Sequence, residues 1–414
     1  TTQSSHPLVP FLQSTPRTAL PNHVWLGTNM NPLVFWAAAA GALRGARSRY
    51  ADLDLHPPLG GRRSPHTIVP DVGAHNTTTR KNVLDFGARG DNKTECTAAF
   101  RAALAAAATE GGGSVLAPSG IYRFSGNLTI PPGVTLTGSY DVVPSHDLRQ
   151  GTPVTDGTVL IPTGGRGLPC DINCTRAFVT VARNGCLKGL VILYDEQERT
   201  ALPVPYPWAV FLGDPDRIYG GSADNAAVMD VELLGAWNGV AAVAAHRHYI
   251  ARVQGQPLNI GVFLDETYDI GRIEDVHFNP WFSAAAPFVY YQTTFGRAFV
   301  MGRSDWEYVF NTFAFGYAIG YQFIERATGS MNGNFVGIGA DLMTNASVMV
   351  EQAQPMGLLI TNGEFTAFCD TPAHIFCQGP GANRSPVHVR VGAGNVGAVK
   401  FTSSSFWGPG KGAV

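Results

Sequence analysis

The chain has 414 residues and a formal net charge of −2, and only 14% of its residues are charged, compared with roughly 25% in an average soluble protein. It contains no long basic run and no alternation of basic and aromatic residues, which argues against nucleic acid as a partner. The longest apolar run, residues 32–43, is too short to cross a bilayer, so we expect no membrane span.

Residues 1–80 differ in composition from the rest of the chain and are rich in proline and polar residues. They predict an extended N-terminal arm with one short helix, from Leu33 to about Tyr50. The arm also carries Trp25 and Trp36, and a solvated tail seldom contains such large aromatic residues. We therefore expect the arm to pack on a surface, either of its own chain or of a neighbouring molecule.

Residues 81–140 predict one helix followed by several short strands. The helix begins after Thr94, and glycines 111–113 end it. Its apolar residues are spaced as on a helix with one buried face: Phe100, Ala103, Leu104 and Ala107. Strand-like runs separated by turn residues follow at 114–116, 121–124, 127–130 and 134–136. Each run is too short to be stable alone, so this stretch should begin a longer stack.

The sequence from NVLDFGARGD through the helix to GGGSVLAPSGIYRFSGNLTIPPGVTLTG resembles the N-terminal signature of the pectate-lyase-like superfamily. The resemblance covers about 60 residues. It implies an all-β fold, a right-handed parallel β-helix (solenoid) with an N-terminal capping helix, which would occupy residues 81–414. It implies no catalytic residue, because the short motifs of polygalacturonase-like hydrolases and the acidic calcium cluster of pectate lyases are missing from the sequence.

An internal repeat supports this fold beyond residue 187. Eight hexads begin with an apolar residue, at 187–192, 228–233, 250–255, 273–278, 310–315, 335–340, 360–365 and 401–406. Their starts differ by 41, 22, 23, 37, 25, 25 and 41 residues, which is typical of a solenoid with a step of 22 to 25 and three longer intervals. We expect each hexad to be one rung of a parallel sheet, with insertions at 193–227, 279–309 and 366–400.

Side chains alternate between the two sides of a strand, so the hexads also predict which residues face outward. With Val231, Leu233, Val253, Val276, Phe278, Phe313, Phe315 and Ile338 inside, the outward pairs follow by parity. They are Asp230 and Glu232, Arg252 and Gln254, Asp275 and His277, Thr312 and Ala314, Gly337 and Gly339, Asn362 and Glu364, and Ser403 and Ser405. The charged residues are concentrated on the first three of these rungs.

The first candidate site consists of Glu232, Arg252, Asp275 and His277. Neighbouring rungs lie about 4.8 Å apart, so Glu232 and Asp275 would be separated by roughly 9 to 10 Å. This is near the upper limit of roughly 6.5–9.5 Å used by inverting glycosidases, and the arginine between the two carboxylates could orient an acidic substrate. The alternative is a solvated ladder of cross-strand charge pairs.

The second candidate site lies in the 279–309 insertion, the most aromatic of the three. Asp305 and Glu307 are the catalytic candidates, because carboxylates at i and i+2 of an extended chain point the same way. Side chains that could stack on or hydrogen-bond to sugar rings accompany them: Trp281, Arg303, Trp306 and Tyr308. The alternative is that the rings are buried and the carboxylates bond to loop backbone. We also expect His246 and His248 to be surface residues.

The six cysteines and six glycosylation sequons favour a secretory route. The cysteines lack the spacing of metal sites and predict disulfides, with Cys369–Cys377 as the first pair and Cys170, Cys174, Cys186 and Cys96 as the remaining candidates. The sequons are at Asn76, Asn92, Asn127, Asn173, Asn345 and Asn383. We expect a secreted or cell-surface glycoprotein that needs neither a cofactor nor a metal ion.

Two functions remain open from the sequence. The first is recognition, with or without cleavage by a hydrolase or lyase, of an extracellular polysaccharide or other glycan. The second is a non-catalytic structural role in a homo- or hetero-assembly or filament, joined through the N-terminal arm and the open end of the β-helix. The acidic and aromatic clusters favour the first function, whereas the arm, the absence of family motifs and the lack of a C-terminal capping segment in the sequence favour the second.

Overall fold

The computed structural model describes residues 80–150, 152–367, 377 and 386–408. The predicted arm and helix within residues 1–79, together with Asn76, Cys369 and Asn383, lie outside the described residues. From Arg80 onward the described chain winds into a right-handed parallel β-helix with three faces, which we call A, B and C. The hydrogen-bonded strand pairs between successive coils are parallel, and Val231, for example, lies beside Val253 of the next coil.

Faces A and B are built from strands numbered here in chain order. Face A contains β1 (Arg80–Asn82), β3 (Gly113–Leu116), β6 (Val134–Thr137), the first halves of β9 (Cys186–Leu193), β11 (Ala227–Leu234) and β13 (Tyr249–Gly255), then β15 (Arg272–Glu274), β18 (Glu307–Phe310), β21 (Gly333–Val336), β24 (Leu358–Thr361) and β27 (Val399–Thr402). Face B contains β2 (Asp91–Glu95), β4 (Gly120–Phe124), β7 (Thr158–Pro162), the second halves of β9, β11 and β13, then β16 (His277–Phe278), β19 (Phe313–Phe315), β22 (Gly339–Met343), β25 (Glu364–Ala367) and β28 (Ser405–Trp407).

Face C is a separate nine-stranded parallel sheet. Its strands are β5 (Leu128–Ile130), β8 (Ala177–Val181), β10 (Trp208–Leu212), β12 (Asn238–Val243), β14 (Ile260–Asp265), β17 (Arg297–Met301), β20 (Ile319–Phe323), β23 (Ala346–Val350) and β26 (Val387–Val391). The helices of the described chain are a 3-10 turn (Val83–Phe86), α1 (Thr97–Thr109) and α2 (Ala286–Phe295). Neither α-helix combines the length and apolar character that a transmembrane helix would need.

The capping helix has the predicted position and the predicted buried face. Phe100, Ala103, Leu104 and Ala107 of α1 are buried. The ring of Phe100 meets Tyr122 and Phe124 of β4 edge to face, with ring centroids 5.3 and 4.9 Å apart. This aromatic contact closes the apolar interior at the first coil.

From β9 onward, one residue per coil turns the chain from face A to face B. These corner residues have positive φ: Gly189 (72°), Asp230 (53°), Arg252 (49°), Asp275 (53°), Asn311 (49°), Gly337 (64°), Asn362 (55°) and Ser403 (50°). A single residue in the left-handed conformation bends the backbone sharply while the flanking strands stay in register. The predicted hexads are therefore not single flat rungs, because each hexad crosses this corner.

The corner also explains an error in the predicted register of residues 310–315. The turn is made by Asn311, one residue earlier in the hexad than in 228–233, so the repeat begins at Val309 and not at Phe310. Thr312 and Ala314 consequently face the interior, where the hydroxyl groups of Thr312 and Tyr321 are 2.8 Å apart. Phe313 and Phe315, predicted to be inside, lie on the outer side of β19.

Each of the three predicted insertions contains one strand of face C. Residues 193–227 include β10, residues 279–309 include α2 and β17, and residues 366–400 include β26. A further insertion that the repeat did not reveal joins β6 to β7, and we call residues 138–157 the 138–157 loop. This loop lies over the outer side of face B, where Val154 packs with Val159 and Phe282.

The cysteines are only partly paired as predicted. Cys170 and Cys174 form a disulfide with an S–S distance of 2.08 Å, and Cys377 is disulfide-bonded. The pairing of Cys369 with Cys377 remains a prediction. Cys96 and Cys186 are free thiols, contrary to prediction. The first lies buried at the start of α1 and the second starts β9 on a different coil, so the stacked strands hold them apart.

Corner residues should tolerate glycine but not a β-branched side chain. Replacing the exposed corner residue Asn362 by valine should lower the free energy of unfolding by about 1–2 kcal/mol, because left-handed backbone brings Cβ too close to the following carbonyl. Asn362→Gly should change it little. Chemical denaturation would measure both, with Thr361→Val on the same strand as the control. Equal stabilities of the glycine and valine variants would show that the corner is not left-handed.

Candidate functional site

The candidate site lies on the outer surface where faces A and B meet, on three consecutive rungs. Each rung contributes its corner residue and the side chain two residues further on, which also points outward. These pairs are Arg252 and Gln254, Asp275 and His277, and Asn311 and Phe313. They line a cavity of about 320 Å³, and Val143 and His146 of the 138–157 loop close one side of it. The predicted cluster of Arg252, Asp275 and His277 is therefore brought together.

Asp230, on the neighbouring rung, fixes the orientation of the Arg252 guanidinium, the cation of this site. Both Nε and Nη2 of Arg252 donate hydrogen bonds to the carboxylate oxygens of Asp230, at 2.7 and 2.9 Å. Asp230 is almost fully buried, whereas the Arg252 side chain remains 39% exposed. A bidentate pair holds the guanidinium plane in one orientation. Its remaining terminal nitrogen can therefore meet an anionic group that enters the cavity.

Aromatic rings surround His277 and keep it neutral. Its ring centroid lies 4.6 Å from that of Trp281, 5.0 Å from that of Phe313 and 5.6 Å from that of His146. Burial, together with the like charge that His146 can carry, lowers the pKa of His277 to about 4. The imidazole is therefore uncharged at neutral pH and has a free lone pair. Its Nε2 is buried without a hydrogen-bond partner among the described residues.

Unpaired polar atoms occur on three successive rungs of face B. They are Oε1 of Glu232, both side-chain amide atoms of Gln254, and Nε2 of His277, which are buried without a partner within the described chain. The three residues stack directly upon one another, Glu232 on Gln254 and Gln254 on His277. Buried polar groups in proteins are nearly always hydrogen-bonded. A column of unpaired groups next to an open cavity indicates a place where a polar ligand completes the bonding.

Glu232 does not face the cavity directly, contrary to its predicted pairing with Asp275. It is fully buried beneath the 138–157 loop, and its Oε2 accepts a hydrogen bond of 2.9 Å from Nη2 of Arg149. Burial, only partly offset by Arg149, raises the pKa of Glu232 to about 7. The amide of Arg149 also donates to the carbonyl of Trp281 at 2.7 Å. Glu232 therefore anchors the loop that forms one wall of the cavity, whereas Asp275 is exposed at its mouth.

Trp281 has a different role from the exposed stacking platform that the sequence predicted. Its side chain is only 7% exposed, and its ring packs on His277 and on His146, with a centroid distance of 4.8 Å to His146. It forms part of the wall behind the imidazole. Phe282 and Phe288 of the same insertion are also buried.

The second predicted site is not assembled in the structure. Trp306, between the two carboxylates, has a φ of 57°, so Asp305 and Glu307 do not share a side of the chain as they would on a straight strand. Asp305 remains partly exposed and accepts a hydrogen bond of 2.9 Å from Nη2 of Arg303. Glu307 points into the core and is fully buried. Trp306 is 47% exposed, and Tyr308 stacks on Phe310 on face A, away from Trp281.

The partner of Glu307 is His248, which is also buried and so contradicts its predicted surface position. Oε1 of Glu307 lies 3.1 Å from Nε2 of His248, and Ser304 donates to Oε2 at 2.7 Å. Gly271 occupies the rung between them, and a Cβ at this position would collide with both side chains. Burial acts to lower the pKa of His248, but the charge and hydrogen bond of Glu307 outweigh it, so the pKa is raised.

The predicted glycosylation sites differ in their exposure to solvent. Asn92, Asn127 and Asn173 are exposed, and Asn345 is half-buried. Glycosylation at these residues remains a prediction. Among the described residues, no group of three or more His, Cys, Asp and Glu side chains is arranged to hold a metal ion.

Four residues of the site were missed by sequence reasoning. His146 and Arg149 lie in the 138–157 loop, whose polar sequence interrupts the short strand spacing after Thr137. That interruption is the sequence signal for an inserted loop at this position. Asn311 and Phe313 were missed because the predicted hexad 310–315 begins one residue later than the repeat in the structure. Asparagine tolerates left-handed backbone well, so Asn311 itself marked the corner.

Comparison with known proteins supports the fold and finds local similarity to a lyase and an epimerase. Residues 81–206 match a family described as rhamnogalacturonase A/epimerase, pectate lyase-like. Alginate lyase 7 of Azotobacter vinelandii is 60% identical over 45 residues, which are 11% of this chain and 5% of that enzyme. Mannuronan C5-epimerase AlgE3 of the same organism is 46% identical over 65 residues, which are 14% of this chain and 4% of that enzyme. The matches thus span only a small part of these relatives.

The crystal structure of DFA-IIIase from Arthrobacter chlorophenolicus A6 in complex with GF2 has a similar fold. It superposes with a TM-score of 0.50 at 14% identity and covers 78% of this chain and 88% of that chain. The stacked three-faced coil and its capping helix thus define a right-handed parallel β-helix protein. The family match is confined to residues 81–206, and the rest of the similarity is a similarity of fold.

The buried pair of His248 and Glu307 should make stability depend on pH. A histidine whose pKa is raised on folding stabilises the protein fully below its unfolded pKa of about 6.5, and this contribution is lost as pH rises through the higher folded value. The free energy of unfolding should therefore fall as pH rises from about 6 through the raised folded value. In Glu307→Gln this fall should be smaller, because the charge that raises the histidine pKa is absent.

Denaturant titrations at several pH values would measure this effect. Asp305→Asn is the matched control, because it removes a nearby carboxylate that is partly exposed and paired with Arg303. Such a surface pair contributes little, and the variant should keep the pH dependence of the wild type. An unchanged pH dependence in Glu307→Gln would contradict the buried pair as its source.

Proposed function

We propose that the protein is a secreted carbohydrate-active enzyme that acts on an acidic polysaccharide through the cavity at the corner of faces A and B. The observation that carries this proposal is the neutral, unpaired imidazole of His277 beside Asp275 and the fixed guanidinium of Arg252. The named activities of the relatives, alginate lyase and mannuronan C5-epimerase, support the same substrate class.

The proposed reaction is removal of the proton from the carbon next to a uronate carboxylate. Arg252 binds the carboxylate and stabilises the negative charge that develops on it, while Nε2 of His277 accepts the proton. The bound anion also favours the protonated imidazole, so the pKa of His277 rises on substrate binding from its low value in the free protein. The base therefore becomes stronger when the substrate is in place.

Two outcomes follow from the same carbanion. In elimination, a carbon–carbon double bond forms as the bond to the neighbouring glycosidic oxygen breaks, and that oxygen takes a proton. In epimerisation, a proton returns to the same carbon from the opposite side of the ring. Asp275, exposed at the mouth of the cavity, is placed to hold the water or acid that delivers this proton.

Hydrolysis by two carboxyl groups fits the cavity less well. An inverting hydrolase needs an acid and a base that both reach the bond to be cleaved. Of the predicted pair, only Asp275 faces the cavity, because Glu232 is covered by the 138–157 loop and bound to Arg149. The structural role in an assembly rests on the N-terminal arm, which lies outside the described residues, and it remains a prediction.

Incubation with oligouronates in deuterated water tests the reaction. Proton abstraction followed by return places deuterium on the reacting carbon, and elimination leaves an unsaturated sugar with characteristic ultraviolet absorbance. His277→Gln should lower turnover by about 10²–10⁴-fold, the usual contribution of a general base. Glu364→Gln, an exposed carboxylate further along the same column of face B, should retain full activity.

Asp275→Asn is the second variant and should reduce turnover while substrate still binds. Cleaved products that carry neither a double bond nor deuterium would point to hydrolysis and overturn the proposed chemistry. Full activity of His277→Gln would remove the imidazole from the mechanism.

The pH profile provides an independent test. Since the imidazole must be neutral to accept a proton, kcat/KM should fall on the acid side with a midpoint at about 4, the value to which burial lowers the pKa of His277 in the free protein. Because uronate carboxylates titrate in nearly the same range, the pH dependence of substrate binding should be measured separately and subtracted from the profile. A midpoint at the ordinary histidine value, about 6.5, would be inconsistent with this assignment.

A further inference from the structure

A second cavity lies on a different part of the prism, against the outer side of face C. Its volume is about 530 Å³, within the range of small-ligand sites. The floor is formed by Trp237, Asn259 and Arg297, which belong to or adjoin β12, β14 and β17. The opposite wall is the short loop closed by the Cys170–Cys174 disulfide. The proposed catalytic residues do not line this cavity.

Hydrogen bonds hold this loop, which forms the wall of the cavity, against the sheet. The indole Nε1 of Trp208 donates to the carbonyl of Cys174, and Nδ2 of Asn238 donates to the carbonyl of Cys170, both at 2.9 Å. A third bond of 2.9 Å runs from Nη2 of Arg326 to Oδ1 of Asn173. Together with the disulfide, these bonds preform the cavity, so a ligand need not order the wall when it binds.

The floor offers a cation without a carboxylate partner. Arg297 is half-buried and forms no ion pair within the described chain; its side chain donates only a long hydrogen bond of 3.4 Å to Oε1 of Gln322. Burial lowers the pKa of Arg297, and the more distant charges of Glu351 and Asp171 only partly offset this effect. Holding a charge in such a place is costly unless an anion completes the pairing.

An aromatic surface and an oriented amide lie beside this cation. Trp237 packs against Tyr291 with ring centroids 4.9 Å apart. The amide of Asn259 is held from both ends: its Nδ2 donates to Oδ1 of Asn238 at 2.9 Å, and its Oδ1 accepts from the hydroxyl of Tyr291 at 3.2 Å. An aromatic edge, a fixed amide and a guanidinium are the groups that recognise a sugar carrying a carboxylate.

We propose that this cavity is a second, non-catalytic binding site for an acidic saccharide, with the carboxylate on Arg297 and the sugar beside the small exposed edge of Trp237. Asp171 and Arg176 at the rim carry opposite charges, so Arg297 leaves the lining of the cavity with a net positive charge. The site would hold one part of a polymer on face C while the corner of faces A and B acts on another part. Its existence does not depend on the proposed reaction.

Calorimetric titration with a trisaccharide of galacturonate or of mannuronate tests the site. The protein should be made without N-glycans, because Asn173 on the rim lies in a sequon. In a His277→Gln background, in which turnover of the probe should be slow, two binding events are expected. Arg297→Met, which keeps the apolar stem, should weaken one of them at least about tenfold, in line with the loss of a charge-assisted hydrogen bond.

Three further measurements make the result specific. Arg297→Lys should bind with intermediate affinity, because the charge remains but the planar fork is lost. Arg183→Met, an exposed arginine that does not line the cavity, should bind as the parent does. The neutral galactose trisaccharide should not bind at the face C site.

The two proposals fail in different ways. If only the corner cavity is wrong, a single binding event remains, which Arg297→Met abolishes and Arg252→Gln leaves unchanged. If the face C site is wrong, Arg297→Met binds acidic trisaccharide with the stoichiometry and affinity of its parent. A correctly folded double variant Cys170→Ser/Cys174→Ser with undiminished binding would likewise contradict the preformed wall.

Discussion

The left-handed residue at the corner of faces A and B is the constraint on which the rest of the site depends. It turns the backbone within one residue, so the strands on both sides stay paired with the coils above and below. Because these residues stack, their side chains project at intervals of about 4.8 Å along one edge of the prism. Arg252, Asp275 and Asn311 are neighbours for this reason, although 59 residues separate the first from the last.

The same constraint accounts for what could be predicted from the sequence. The helix stripe of α1 and the step of 22 to 25 residues are local or periodic signals, and they were sufficient to place Arg252, Asp275 and His277 on one outer surface. The alternation of inward and outward side chains is assigned wrongly wherever a left-handed residue is not recognised. Unrecognised turns at Asn311 and Trp306 reversed the assigned sides of Phe313 and Glu307, because one such residue changes the alternation of everything that follows it.

Other parts of the site have no periodic signal at all. The 138–157 loop is positioned by contacts with residues far along the chain, among them Arg149 with Glu232, which are 83 positions apart. The composition of the loop does not encode such a contact, and neither does the strand pattern of β11. Burial of Glu232 is likewise a property of the folded loop, and it changes the carboxylate from an expected catalytic group into an anchor. The role of Glu232 therefore differs from its predicted role because the 138–157 loop covers it.

The interior shows how a stacked coil tolerates polar residues. Each inward position has neighbours directly above and below, so a polar side chain is satisfied only if the adjacent rungs provide a partner or leave room to reach one. Gly271 leaves that room, which lets His248 and Glu307 meet across two rungs. On the outer surface the unpaired column of Glu232, Gln254 and His277 has no such internal partner among the described residues. The contrast between the satisfied core pair and the unpaired atoms of Gln254 and His277, which line the cavity, is the physical argument behind the proposal that a ligand binds at face B.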